Sequence, residues 1–141
     1  MMTHHDPLGE FLVKLKNAKR SGKMSFRFTA SIKLKEVAKL LLKKSVFISC
    51  SSEFVSFSKK NSNLRKEIVT CFFAKSNDEL FFEDYRRISR PGKKIFLNAK
   101  KLKDKFLRTN GIVVVNTSTL GLTTANSAIK NEIGGEPLFE I

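Results

Sequence analysis

The chain has no tryptophan, one tyrosine, and only two cysteines and two histidines. Cys50 and Cys71 are too few for a disulfide scaffold and lack CxxC spacing, so a reducing compartment fits. His4 and His5 stand side by side at the start, where a metal site is not expected, and no Cys/His/carboxylate cluster elsewhere has metal-ligand spacing. A serine nucleophile such as Ser118 would lie about a hundred positions from either imidazole, so the acyl-transfer triad lacks its base. The seven glycines form no P-loop or dinucleotide fingerprint. No enzyme activity, cofactor or small-molecule substrate is expected. Apolar runs stay far below the roughly 18 residues of a membrane span, and MMTHHDPLGE has no apolar h-region. A soluble protein without a secretory signal is expected.

Acidic residues are also scarce. Thirteen stand against 27 lysines and arginines, giving +14 and a pI near 10.0, more than solubility needs and suited to a nucleic-acid partner. The imbalance is uneven: residues 1–110 hold 26 basic and 10 acidic side chains, whereas residues 111–141 hold only Lys130 against Glu132, Glu136 and Glu140. Long-range attraction and close-range reading are thus assigned to different parts of the chain.

Asp6 followed by Pro7 is a helix start, and Leu8, Phe11, Leu12 and Leu15 form one apolar stripe. Met24, Phe26 and Phe28 alternate with polar residues as a half-buried strand. Ser31 caps a helix whose stripe is Leu34, Val37, Ala38, Leu41 and Leu42. Strands are expected at Val46–Ile48, Glu53–Phe57 and Leu64–Phe73, with a turn at Lys59–Asn63. The polar stretch from Lys75 to Glu79 suggests a boundary, giving a basic N-terminal α/β lobe over residues 1–76 and a β-rich lobe over 77–141. In the second lobe, a strand Leu80–Ile88 leads into a turn at Ser89-Arg90-Pro91-Gly92 and returns as Lys93–Leu97. A short helix around Leu102 and Phe106 ends at Asn110-Gly111. A buried strand Ile112–Val115, a helix capped by Thr124 and running through Ala128, and a last strand Glu136–Ile141 complete an α+β fold.

The candidate reading edge is the turn after that buried strand: Asn116, Thr117, Ser118 and Thr119, closed by Gly121. Small hydroxyl and amide side chains on a rigid edge suit hydrogen bonds to phosphate, ribose and exposed base edges. They also satisfy local backbone groups in ordinary turns. Gly135 of the Gly134-Gly135 pair would let backbone N–H groups approach an RNA closely, and Glu136 fits either an RNA contact or a structural salt bridge. Ser31, Lys33 and Lys35, at a helix start, suit a phosphate. Arg87, Arg90 and Lys93, with Arg86 and Lys94, crowd a turn and raise local positive potential, or face a neighbouring protein. Thirteen of the 14 aromatic residues are Phe, mostly at core phases, so base stacking is a minor expectation.

Four blocks together resemble the small-subunit ribosomal protein eight family: DPLGEFLVKLKNA at Asp6–Ala18, S-x-K-L-K at Ser31–Lys35, ExxxRISRPGKKIF at Glu83–Phe96, and GIVVVNTS at Gly111–Ser118 with the later GGE. The family's turn is typically Ser-Thr-Ser-x-Gly; here Asn116 replaces the first Ser and one residue is inserted before Gly121. The chain ends PLFEI where the family often closes with an aromatic residue. The resemblance implies a non-catalytic primary binder of the central domain of small-subunit rRNA, helping to build the platform beside the family's protein-five neighbour. Two rival readings are a protein-docking module with only nonspecific RNA contact, and a free RNA-binding regulator. The abundance of Lys, Phe and Asn fits AT-rich coding and favours a mitochondrial ribosome over a plastid or bacterial one.

Overall fold

Asp6 starts the first helix as its side chain requires, its Oδ1 accepting the Gly9 N–H at 3.1 Å with Pro7 at the position where a missing N–H costs nothing. The computed structural model describes residues 6–59, 62–74, 84–109 and 111–141. In chain order the elements are α1 (Pro7–Arg20), β1 (Ser25–Thr29), α2 (Ile32–Lys43), β2 (Phe47–Lys59), β3 (Ser62–Phe73), β4 (Arg86–Arg87), α3 (Ala99–Phe106), β5 (Val113–Thr117), β6 (Gly121–Thr124), α4 (Ala125–Lys130) and β7 (Glu136–Glu140). They form an α+β fold of two units, Glu10–Glu83 and Asp84–Ile141 together with Met1–Gly9. The expected boundary between residues 76 and 77, His4 and His5, and Asn110 lie outside the described residues.

The first unit is an antiparallel sheet in the order β1-β3-β2. Its core follows the sequence stripes: Phe11, Leu12, Leu15, Leu34, Val37, Ala38 and Leu41 are buried with Phe26, Phe28, Val69 and Cys71. The Phe11 ring meets Phe26 and Phe28 edge-on, at centroid distances of 5.2 and 5.0 Å, the geometry favoured by the aromatic quadrupole. The expected strands Val46–Ile48 and Glu53–Phe57 are one strand, β2, irregular only between Phe47 and Ser49. Ser49, Ser51 and Ser52 carry little strand propensity, but pairing with β3 overrides it.

Cys50 and Cys71 face each other across β2 and β3, share a side-chain hydrogen bond, and both have raised pKa values, chiefly because burial disfavours the thiolate. A raised pKa favours the protonated thiol in the folded chain. Stability is therefore whole below the unfolded thiol's pKa of about 8.5 and is lost as pH rises above it toward the folded value. Urea unfolding in reductant should show stability falling between about pH 8 and 9.5, with a shallower fall in Cys71→Val; identical slopes would refute this.

The second unit orders its strands β4-β7-β5-β6, all antiparallel. Leu102 and Phe106 of α3 and Ala125 and Ala128 of α4 pack with Val113 and Val115 of β5. The cap residues behave as local chemistry dictates: Asn98 Oδ1 accepts from the Lys101 N–H at 2.8 Å, and Thr124 Oγ1 from the Ser127 N–H at 3.3 Å. Three expectations change. The described part of Leu80–Ile88 contains only the two-residue β4. Lys93–Leu97 is not a strand, because the Ile95 N–H donates to Ser89 Oγ at 3.2 Å rather than to a neighbouring backbone, leaving only the isolated pairs Arg90–Lys93 and Leu97–Gly135. The buried strand extends two residues further than expected, to Thr117, and Gly121–Thr124 is an additional strand, β6.

Candidate nucleic-acid interface

Asn116 and Thr117 pair with Leu122 and Gly121 across β5 and β6, so the turn is shorter than the sequence suggests: a three-residue hairpin loop of Ser118, Thr119 and Leu120. Gly121 closes it at φ +67, a backbone region costly to a side chain and open to glycine. Asn116, Ser118 and Thr119 are exposed at the tip.

Thr117 departs from its expected role. It is buried, its hydroxyl donates to the Gly121 carbonyl at 2.9 Å and accepts the Leu120 N–H at 3.0 Å. Both of its hydrogen-bonding functions hold the hairpin closed, which makes Thr117 the staple of the tip.

β7 brings the second sequence cluster beside this hairpin, because Asn116 pairs with Glu136. Gly135 lies so close to β5 that an added Cβ would sit 2.6 Å from the Asn116 carbonyl oxygen. Its N–H donates to the Leu97 carbonyl at 2.9 Å and its carbonyl accepts the Leu97 N–H at 2.9 Å. The expected free N–H at Gly135 is thus occupied, and the glycine serves close strand packing. Glu136 forms no ion pair with a described residue; its Oε1 accepts from Ser89 Oγ at 2.7 Å. Buried Ser89 in turn accepts the Ile95 N–H, so one chain of hydrogen bonds fixes β7 to the segment that follows the Pro91-Gly92 turn.

That turn is tight, with Arg90 and Lys93 exchanging backbone hydrogen bonds of 3.2 and 2.9 Å. Arg90, Lys93 and Lys94 are exposed and have no ion-pair partner among the described residues. Arg87 differs from them. Its side chain is only 10% exposed, and the guanidinium donates to both Asp6 carboxylate oxygens, the shortest at 2.9 Å, and to the Ser89 carbonyl at 2.6 Å. Arg86 pairs with Glu140 at 2.9 Å. Of the five cations in this cluster, Arg87 is largely buried in the fold, Arg86 is exposed but paired with Glu140, and Arg90, Lys93 and Lys94 are exposed and unpaired among the described residues.

Most of the Phe residues are expected at core phases, but Phe96 is 70% exposed. The signal was present in the alternation of KKIFL: Ile95 and Leu97 are half-buried, so Phe96 takes the opposite phase. Its neighbour Leu97 is bonded to Gly135, which lies against Asn116. The second unit thus presents, within one corner, small polar side chains, unpaired cations and an exposed ring.

Ser31, Lys33 and Lys35 belong to the other unit, at the start of α2. Ser31 Oγ accepts the Leu34 N–H at 3.2 Å, and Lys35 bonds Glu67 at 2.7 Å. Lys33 is exposed and without an ion-pair partner among the described residues. It is the member of the three whose charge is uncommitted. No group of three or more potential metal-ligating side chains occurs among the described residues.

A family model described as Ribosomal protein S8 matches residues 6–141. Among curated relatives, a Staphylococcus aureus protein (strain Newman) is 33% identical over 137 residues, 96% of each chain. One from Macrococcus caseolyticus is 32% identical over 142 residues, 99% of each. One from Prochlorococcus marinus (strain MIT 9515) is 28% identical over 137 residues, 97% of each. All three are named small ribosomal subunit protein uS8, and all three are bacterial.

Proposed function

Because the chain belongs to the ribosomal protein S8 family, and so has a structural, non-enzymatic role in the small ribosomal subunit, we propose that it binds the central domain of small-subunit rRNA through the β5–β6 hairpin tip and helps assemble the platform. The observation that carries this reading is the exposed Asn116, Ser118 and Thr119, held by the Thr117 staple and flanked by unpaired cations. Such groups reach an irregular RNA helix, where sugar and base edges are open, rather than the narrow major groove of a regular A-form duplex. Arg90 and Lys93 supply phosphate attraction at the same corner, and Phe96 offers a face on which an unstacked base can rest. Lys33, at the start of α2, adds charge without sequence information. Gly135, Glu136, Thr117 and Arg87 act by building the corner.

The family's protein-five neighbour is a further proposed partner. A Lys-, Phe- and Asn-rich composition favours a mitochondrial ribosome, whereas the relatives named above are bacterial; a place in the small subunit holds for either.

Two substitutions separate reading from attraction. Ser118→Ala should weaken binding to a central-domain rRNA fragment by about 1–3 kcal/mol and leave the salt slope unchanged. Lys33→Gln should weaken binding to every RNA alike and lower the slope by roughly one unit. Filter binding on cognate and random RNA across a salt series measures both. Equal losses for Ser118→Ala on the two RNAs would remove the reader role.

A further inference from the structure

β2 is the outer strand of its sheet. From Ser49 onward its register with β3 is unbroken, and among the described residues its other edge has no backbone partner. Edge strands are normally blunted by lysines, prolines or repeated bulges, because an open ladder templates pairing with another chain. Between Ile48 and Phe57 there is one charge, Glu53, and no proline, and the single irregularity lies at the strand's start. This edge is built to be covered.

Beside it runs a groove of about 570 Å³, walled by Ile32, Lys35, Glu36, Lys39 and Leu42 of α2, by Cys50 and Ser52 of β2 and by Glu67 of β3. Ile32, the most exposed large apolar side chain described at 82%, stands on its rim. A strand added to β2 would send every second side chain toward this helix-walled face. α2 carries Lys33, Lys35, Lys39 and Lys43 against one acid, Glu36. Lys35 is committed to Glu67, while Lys39 is exposed and has no ion-pair partner among the described residues.

We infer that β2 and the α2 groove form a strand-addition site for an extended, acidic segment of a partner protein, with aliphatic side chains in the groove and carboxylates toward Lys39. Backbone pairing gives the affinity and the groove selects alternate side chains. RNA lacks amide donors at strand spacing, and Cys50, Leu42 and Val69 in the lining suit an aliphatic group. A second copy would bring another set of α2 lysines onto the same extended sheet, which like charge opposes.

The test uses the full chain and the synthetic peptide acetyl-(Asp-Val)₄-amide, with the same peptide N-methylated at every residue's backbone nitrogen, so that neither edge can donate, as control. The two carry equal charge, and only the first can complete a strand on either edge. The unmodified peptide should slow amide exchange at residues 49–56, bind at least about tenfold more tightly than the control, and weaken severalfold in Lys39→Glu. Equal binding of the two peptides would reduce the site to charge attraction and overturn the inference. It would also be overturned by dimerisation of the free chain with slow exchange at β2, or by an rRNA fragment protecting β2 where the peptide does not.

Discussion

Arg87→Ala is expected to lower folding stability by about 3 kcal/mol, the scale of breaking a largely desolvated ion pair with several charge-assisted hydrogen bonds. The Arg87 side chain is 10% exposed and that of Asp6 31%, so the pair is only partly screened by water. Three N–H···O contacts at 2.9–3.2 Å join Arg87 to Asp6, and a fourth bond reaches the Ser89 carbonyl at 2.6 Å. Asp6 also holds the Gly9 N–H, so removing Arg87 leaves a helix cap with an unpaired carboxylate in a partly dry site. Arg87→Lys should recover less than half of the loss, because a single ammonium does not span both carboxylate oxygens and the carbonyl. Urea unfolding gives the stability. A surface cation reserved for RNA would cost below about 0.5 kcal/mol and would change the salt slope of RNA binding instead, so that pattern would return Arg87 to the interface.

The contrast between Arg87 and Arg90 shows where sequence reading stops. Both lie in one basic run, and charge density alone gives them the same role. What separates them is Asp6, more than eighty positions away, and a contact at that separation leaves no local pattern. Elements whose causes are local were legible: the caps at Asp6, Ser31 and Thr124, the apolar stripes of α1 and α2, and the Pro91-Gly92 turn; the cap at Asn98 was equally local and was not read. The candidate corner was legible in outline, because the polar tip, the glycine pair and the basic turn are each a short run of adjacent residues. Their division of labour was not. Thr117 and Ser118 are chemically alike, and only the pairing of Thr117 with Gly121 sends one hydroxyl inward and leaves the other exposed. Likewise β2 appeared as two strands because its serines are poor local signals, while the partner that makes it continuous, β3, lies further along the chain.

Gly135→Ala should have the largest effect on the corner as a whole. Its added Cβ would lie 2.6 Å from the Asn116 carbonyl oxygen and 2.8 Å from Val115 Cγ1. Neither neighbour can yield easily, since Val115 is fully buried and Asn116 pairs on both sides, with Leu122 and Glu136. Gly135 cannot retreat either, being tied to Leu97 through two backbone hydrogen bonds. Overpacking where backbone must move is expected to cost about 3 kcal/mol. Because the strain acts on Asn116, one residue before the staple, specific affinity for a central-domain rRNA fragment should also fall at least about tenfold, while weak binding to random RNA persists. Gly92→Ala is the matched control, as nothing lies within 4 Å of its added Cβ, and it should change stability by less than about 0.5 kcal/mol. Urea midpoints and RNA affinities of the two variants measured side by side decide the matter: if Gly135→Ala behaves like Gly92→Ala, β7 does not position the hairpin tip.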